Sequence, residues 1–405
     1  MSDPVSGAGR RTAFEVFLAF LRLGFTAFGG PIAHLGYFRD TFVSRRRWLD
    51  EASYADLVAL CQFLPGPASS QVGIGIGLAK AGLPGALAAW AGFTLPSAVA
   101  LTLFGYGVVA FGDVLPHGVL HGLKIAAVAV VAQALWGMGR TLCPDALRMT
   151  LAVLAAIVVL ALPSPWTQVG VIVAGGLAGR GALRVATNGH AGGLHVPVSN
   201  AAAIAALATL ALLLLGLPVL ASIWPNHAVA IFDAFFRAGS LVFGGGHVVL
   251  PLLQAEVVPH GWVGNEAFLA GYGAAQAVPG PLFTFAAYLG TVMESAPNGW
   301  AGATLCLIAI FVPSFLLVTG MLPFWVRLRE VTALRQALLG VNAAVVGLLL
   351  AAFYDPVWTS GVRSAADFAM ALGAFTLLVF WRTPPWLVVG LVAAAGWAFA
   401  QAGLA

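Results

Sequence analysis

The chain has 405 residues, of which 60% are hydrophobic and 8% charged. A soluble domain carries about 25% charged residues, so a water-soluble enzyme or binding module is excluded and a polytopic membrane protein is expected. The net charge of +4 lies mostly in loop arginines, as positive-inside topology requires, and gives no reason to expect nucleic-acid binding.

Residues 1–13 form a short polar tail. It lacks the basic, apolar, small-residue order of a cleavable signal, so the first apolar segment is expected to remain in the protein. That segment, 14–38, contains RLGFTAFGGP and is flanked by Arg10 and Arg11 before it and Arg39 and Arg45 to Arg47 after it. Segment 54–79 contains QFLPGP and ends at Lys80. Its prolines remove helix hydrogen bonds that a bilayer cannot replace with water. With basic residues at both ends, each segment is expected to enter the membrane and return, turning at Gly29-Gly30-Pro31 and at Pro65-Gly66-Pro67. Segment 85–111 then crosses to Asp113, and later crossings put Arg140 and Arg148 inside, Pro163 to Pro165 outside, and Arg180 and Arg184 inside. The stretch from Arg180 to Asn200, rich in Gly, Ala and His, is expected to be a mobile loop, followed by one apolar span, 201–223.

The pattern then repeats. RAGSLVFGGG at 237–246 matches RLGFTAFGGP 215 residues earlier, and QAVPGP at 276–281 matches QFLPGP at a separation of 214. Trp262 matches Trp48 at the same 214, while Pro313-Ser314 and Ala343-Ala344-Val345 match Pro96-Ser97 and Ala126-Ala127-Val128 at 217. Preserved order at a nearly constant offset means duplication. The repeats are 14–180 and 230–405, joined by a polar loop and linking helix over 181–229.

Charge around the two copies is exchanged. The loop after the first motif holds four arginines in copy one, but Glu256 and Glu266 in copy two. The loop at 112–118 has only Asp113, and its counterpart has Arg327, Arg329 and Arg335. Because basic loops stay cytoplasmic, the copies face opposite ways. The expected fold class is an all-α polytopic membrane protein of two inverted-topology repeats with broken or re-entrant helices. It has about 13 hydrophobic segments, nine spans and four hairpins; in a rival reading the hairpins are kinked spans. Inverted repeats with paired broken helices are characteristic of secondary transporters and point to a binding site at the repeat interface.

Arg22 and Arg237 occupy equivalent positions, six residues before each Phe-Gly-Gly. A mid-membrane arginine costs about 3 kcal/mol on insertion scales. One reading is a pair of guanidiniums facing an anion; the other is snorkelling, or pairing with Glu15 or Asp233. Phe28-Gly29-Gly30 and Phe243-Gly244-Gly245 bare the backbone, which suits either an anion cradle or close helix packing. Gln62 and Gln276 precede Pro65-Gly66-Pro67 and Pro279-Gly280-Pro281, and Asn342 is a further polar candidate. Ser69, Ser70, Thr284 and Lys124 are weaker ones. His34, His247 and Asp56 are candidates for proton coupling. His117 and His121 have i,i+4 spacing but no Glu partner, Cys61, Cys143 and Cys306 have no ligand spacing, and no GxxxxGK[ST] sequence occurs. Neither a cofactor nor a metal is expected. The broken segments carry arginine and glycine in place of carboxylates, so the expected substrate is an anion.

The two Phe-Gly-Gly turns, the paired Pro-Gly-Pro, Trp48-Leu49-Asp50-Glu51 and Gly340-Val341-Asn342-Ala343-Ala344-Val345-Val346 together resemble the chromate ion transporter family in its long, two-domain form. That resemblance covers nearly the whole chain except the tail and the 181–200 loop. It implies a bacterial inner-membrane protein that exports chromate at the expense of the proton motive force, conferring resistance, with antiparallel halves. Gly246 replaces the proline of copy one, so the two turns need not be equally rigid. Chromate and sulfate are both tetrahedral dianions, and a sulfate or other oxyanion carrier is the alternative. A membrane enzyme acting on lipid phosphates is a remote one, lacking an evident nucleophile. Expected partners are the oxyanion, protons and the bilayer, with a homodimer kept as an assembly expectation.

Overall fold

Helix after helix in this chain is interrupted where glycine and proline fall. The computed structural model describes residues 11–111, 117–184, 198–243 and 246–401. The expectations for Gly244, Gly245 and Asp113, for Arg10 and most of the tail, for the side chain of His117 and for most of the 181–200 loop lie outside these residues.

Helix α1 (Ala13–Thr26) starts at a capping box, in which Thr12 Oγ1 accepts the Glu15 N–H and the Glu15 carboxylate accepts the Thr12 N–H. Glu15 thus caps the helix. After Ala27 to Gly29 the chain enters α2 (Gly30–Phe38), continued by a π turn over Arg39–Arg45. The Phe20 ring lies 5.4 Å from Phe38 and stacks 4.7 Å from Phe42. In one unbroken helix residues 20 and 38 would stand about 27 Å apart, so α2 folds back on α1.

Asp50 caps α3 (Glu51–Phe63), accepting the Ser53 N–H at 2.8 Å. The Ser53 backbone and hydroxyl hold this carboxyl below the usual carboxylate range. Its stabilisation is therefore present above the unfolded-state pKa and lost as pH falls through the lowered folded value. Asp50→Ala is expected to cost about 1 kcal/mol, read as a lower thermal midpoint of the purified protein at neutral pH and a smaller difference in acid. Past Leu64 to Pro67 comes α4 (Ala68–Phe111), and Leu57 of α3 lies against Gly75 of α4. This second hairpin closes on itself like the first. At Gly82 (φ 63, ψ −154) α4 bends into its long second part, in a region of backbone space essentially limited to glycine.

The first half ends with α5 (His117–Leu142), α6 (Ala146–Ala161) and α7 (Pro165–Ala182), and α8 (Asn200–Ile223) links it to the second. The second half follows the same plan: α9 (His227–Leu241), α10 (Val249–Val257), α11 (Asn265–Ala275), α12 (Phe285–Val292), α13 (Gly299–Met321), a short α14 (Trp325–Leu328), α15 (Thr332–Ala352), a turn α16 (Thr359–Gly361), α17 (Ala365–Val379) and α18 (Pro385–Gln401). Arg237 of α9 reaches Glu256 of α10 at 2.7 Å, and Tyr288 of α12 donates to the Ala267 carbonyl of α11 at 2.8 Å. Both pairs of helices are again folded back.

The halves exchange helices. α5 of the first packs on α17 and α18 of the second, and α15 of the second packs on α6 and α7 of the first. Small residues meet at both crossings, Gly118 and Gly122 against Gly396, and Gly340 against Gly175 and Gly179. That lets backbones touch where lipid offers no hydrophobic drive to association.

The chain is an all-α, multi-pass membrane protein. Among the described residues five helices are long and apolar enough to cross a bilayer: Ala68–Phe111, Gly118–Leu142, Asn200–Ile223, Gly299–Leu328 and Thr332–Gly361. The Asn200–Ile223 helix, α8, exposes Leu212 and Leu215 by more than 70%, a surface suited to lipid.

Candidate functional site

In a Pro-Gly-Pro run only the glycine carries an N–H. Here both of these N–H groups are spent between the halves. Gly66 (φ 119) donates to the Val242 carbonyl at 2.6 Å, and Gly280 (φ 96) donates to the Ala27 carbonyl at 2.9 Å. Ala27 and Val242 are the residues immediately before each Phe-Gly-Gly. Each half therefore docks its Pro-Gly-Pro turn on the residue that precedes the Phe-Gly-Gly of the other, in a reciprocal crossing. The repeated Pro-Ser pairs complete it. A Cβ on Gly66 would stand 3.2 Å from Ser314 Oγ, and one on Gly280 would stand 2.9 Å from Ser97 Oγ.

His34 joins the same point. Its Nε2 lies 3.1 Å from the Ala27 carbonyl and its Nδ1 3.3 Å from Ser69 Oγ. The Nε2–H tautomer donates to Ala27 and accepts from Ser69, so one carbonyl receives both the histidine and Gly280. Within the turns, Pro65 accepts from Gln71 Nε2 at 2.6 Å, Pro67 from the Gln71 N–H, and Pro281 from Thr284 Oγ1 at 2.7 Å. Several buried polar atoms have no partner among the described residues, including Ser314 Oγ, Gln276 Nε2 and Ser70 Oγ. A buried donor without a partner costs roughly 1–3 kcal/mol, and such groups call for a ligand or an ordered water.

The arginines are not symmetric in their surroundings. Arg22 is exposed on α1. Arg237 is 15% exposed and held by two carboxylates, Asp233 at 2.9 Å and Glu256 at 2.7 Å, under the Trp166 ring. Of the two sequence readings of Arg237, the pairing with Asp233 is realised; Glu256 is an addition that the sequence did not suggest. Arg237 and Glu256 line a small cavity, of about 10 Å3, with Gln168 and Leu252.

The remaining candidates scatter. Gln62 is exposed, while Phe243, Pro279 and Asn342 are half-buried. Gly29 and Gly30 both have positive φ (101 and 77) at the start of α2, and the Phe28 ring faces Trp386 at 6.2 Å. His247 Nδ1 pairs with the Tyr272 hydroxyl at 2.8 Å. Asp56 accepts from Trp325 Nε1 at 2.9 Å and from Arg329 at 2.6 Å, tying α3 to the second half. Lys124 of α5 pairs with Glu266 of α11 at 3.0 Å, a tie of the same kind in the other direction. His121 is paired with Asp367 at 2.7 Å. No cluster of three or more His, Cys, Asp or Glu able to hold a metal occurs among the described residues, and the three cysteines are free and buried.

A family model described as "Chromate transporter" matches residues 14–180 and 229–397. The chromate transport protein of Pseudomonas aeruginosa is 29% identical over 394 residues, 95% of this chain and 91% of its own. That of Cupriavidus metallidurans is 27% identical over 392 residues, 94% of this chain and 91% of its own. An uncharacterized transporter of Bacillus subtilis is 34% identical over 125 residues, 30% of this chain but 68% of its own. No solved structure matches the chain. With both halves matched over most of their length, the chain belongs to the chromate transporter family.

Proposed function

We propose that the protein is a secondary active transporter that exports chromate across the bacterial inner membrane, driven by the proton motive force, and so confers chromate resistance. The observation that carries this reading is the reciprocal docking of the two Pro-Gly-Pro turns on Ala27 and Val242, the residues that precede each Phe-Gly-Gly. It supports a site at the interface of two inverted repeats, in a fold of nine spans and four re-entrant hairpins. Phe28, Gly29, Gly30 and Pro65 to Pro67 contribute to it from the first half, and Phe243, Gln276 and Pro279 to Pro281 from the second. Arg22, exposed on α1, and Arg237, already paired with Asp233 and Glu256, are kept as cationic substrate contacts to be tested by substitution. Unpartnered hydroxyls and amides suit a tetrahedral dianion, which accepts many hydrogen bonds and donates none. One chain holds the complete crossing, so the site needs no second copy even if the carrier is a homodimer.

His34 is the preferred proton carrier, because it shares the Ala27 carbonyl with Gly280 and a proton there acts on the cross-repeat contact directly. Asp56 and His247 are second choices, each already held by a strong partner. His34→Gln, whose amide still donates to Ala27, is expected to keep downhill chromate flux but lose most of the accumulation driven by a pH gradient. Retained pH-driven accumulation would remove His34 from coupling.

The test of the function is radiolabelled chromate accumulation in everted vesicles with an imposed pH gradient, with sulfate as competitor. Accumulation that collapses with the gradient supports proton-coupled export. No accumulation above control membranes, with sulfate uptake in right-side-out vesicles, would turn the reading to sulfate or another oxyanion.

A further inference from the structure

A cavity of about 420 Å3 opens between the first glycine turn and the loop joining α17 to α18. Its lining includes Phe28, Gly29, Tyr37, Gln133, Arg382 and Trp386. Arg382 follows the end of α17 in a left-handed backbone conformation, φ 53, where the Trp381 N–H returns to the Thr376 carbonyl. Glycine is the ordinary residue at such a helix end, because a Cβ is strained there. The chain keeps an arginine instead.

Arg39, Arg45, Arg148, Arg237, Arg329 and Arg363 are each paired with a carboxylate. Arg382, like Arg22, Arg46 and Arg140, has no such partner among the described residues, but it lines a cavity, and no carboxylate lines that cavity with it. Gln133 of α5 and Tyr37 of α2 bring an amide and a phenol without hydrogen-bond partners among the described residues. The nine-residue α2 begins at this wall, with Gly29 as its N-cap, and adds the positive end of a helix dipole. Exposed Phe380 and Trp381 beside Arg382 are typical of a membrane–water interface.

We infer that this vestibule is an additional oxyanion-recognition site, in which Arg382 supplies the charge and Gln133 and Tyr37 the neutral hydrogen bonds, serving as a loading site that leads to the glycine turn. The ligand chemistry is a tetrahedral oxyanion, either free in solution or as the phosphate of an anionic lipid. Only the identity of the free ion rests on the reading of the chain as a chromate carrier.

The experiment uses the full chain in liposomes of phosphatidylcholine, with or without phosphatidylglycerol, and compares wild type with Arg382→Gly and Arg382→Lys. Arg382→Gly relieves the backbone and is expected to fold at least as well as wild type. In pure phosphatidylcholine it should raise the half-saturating chromate concentration about tenfold or more, the weight of one charge-assisted interaction, with the maximal rate little changed and Arg382→Lys partly restoring it. If the occupant is a lipid phosphate, the effect appears instead as loss in Arg382→Gly of a thermal stabilisation that phosphatidylglycerol gives the wild type. Unchanged half-saturation together with unchanged response to phosphatidylglycerol would overturn the inference. A wild type that moves no chromate would sink the transport reading while leaving the lipid comparison able to judge Arg382.

Discussion

Gly280→Ala and Gly66→Ala are each expected to reduce chromate transport by roughly tenfold to a hundredfold, on the scale of 1–3 kcal/mol for a strained backbone residue. Both glycines have positive φ, where any added side chain is strained, and each added Cβ meets close neighbours. At Gly280 these are Ser97 Oγ at 2.9 Å and the Phe93 carbonyl at 3.1 Å; at Gly66, Gln71 Nε2 at 2.5 Å and Ser314 Oγ at 3.2 Å. Relief of that contact moves the turn away from the opposite half and lengthens the bond from the glycine N–H to Ala27 or Val242. The measurement is the initial transport rate at matched protein levels in the membrane. Ser97→Gly, placed with Gly280→Ala, should recover part of the loss by clearing one of the obstructing atoms. Wild-type rates in both single variants would show that the crossing does not have to keep its geometry for transport.

Arg237 gives the second large effect. Arg237→Ala leaves Asp233 and Glu256 buried, at 7% and 9% side-chain exposure, and without their cation. Breaking a buried ion pair from one side costs about 3–5 kcal/mol, so the single variant should accumulate poorly in the membrane. Replacing all three groups, as Asp233→Asn, Arg237→Met and Glu256→Leu, removes the uncompensated charge and should restore the level of folded protein. Transport by that triple variant separates two roles of the guanidinium. Under the substrate role proposed for Arg237, it is expected to remain lost. Restored transport would make the arginine a clamp of the α9–α10 hairpin and nothing more.

The turns of the fold were legible because they are written in local chemistry. Phe-Gly-Gly and Pro-Gly-Pro break helices wherever they occur, and they repeat with their neighbours. The structure turns back between Ala27 and Gly29 and between Leu64 and Pro67, as those motifs led one to expect. Asp233 was also within reach of sequence reasoning, one helical turn from Arg237. Glu256 was not, since 19 residues and a reversal of direction separate it from its partner. The docking of Gly66 on Val242 joins residues 176 positions apart, and no pattern in one sequence states such a pairing. A hint was present in Pro96-Ser97 and Pro313-Ser314, which were recognised as a repeat but not as the walls of the Pro-Gly-Pro turns. Arg382 escaped because it has no counterpart in the other half; its signal is a backbone angle, visible only in three dimensions.

The proposed transport requires an oxyanion to be held where the two halves cross. The most direct measurement is equilibrium binding of radiolabelled chromate to the purified full chain, for wild type, Ser314→Ala and Gln276→Ala. Saturable binding that sulfate displaces, weakened about tenfold in each variant by the loss of one hydrogen bond to a charged ligand, is the predicted result. Saturable binding of wild-type strength in both variants would contradict it and place the ion elsewhere in the protein.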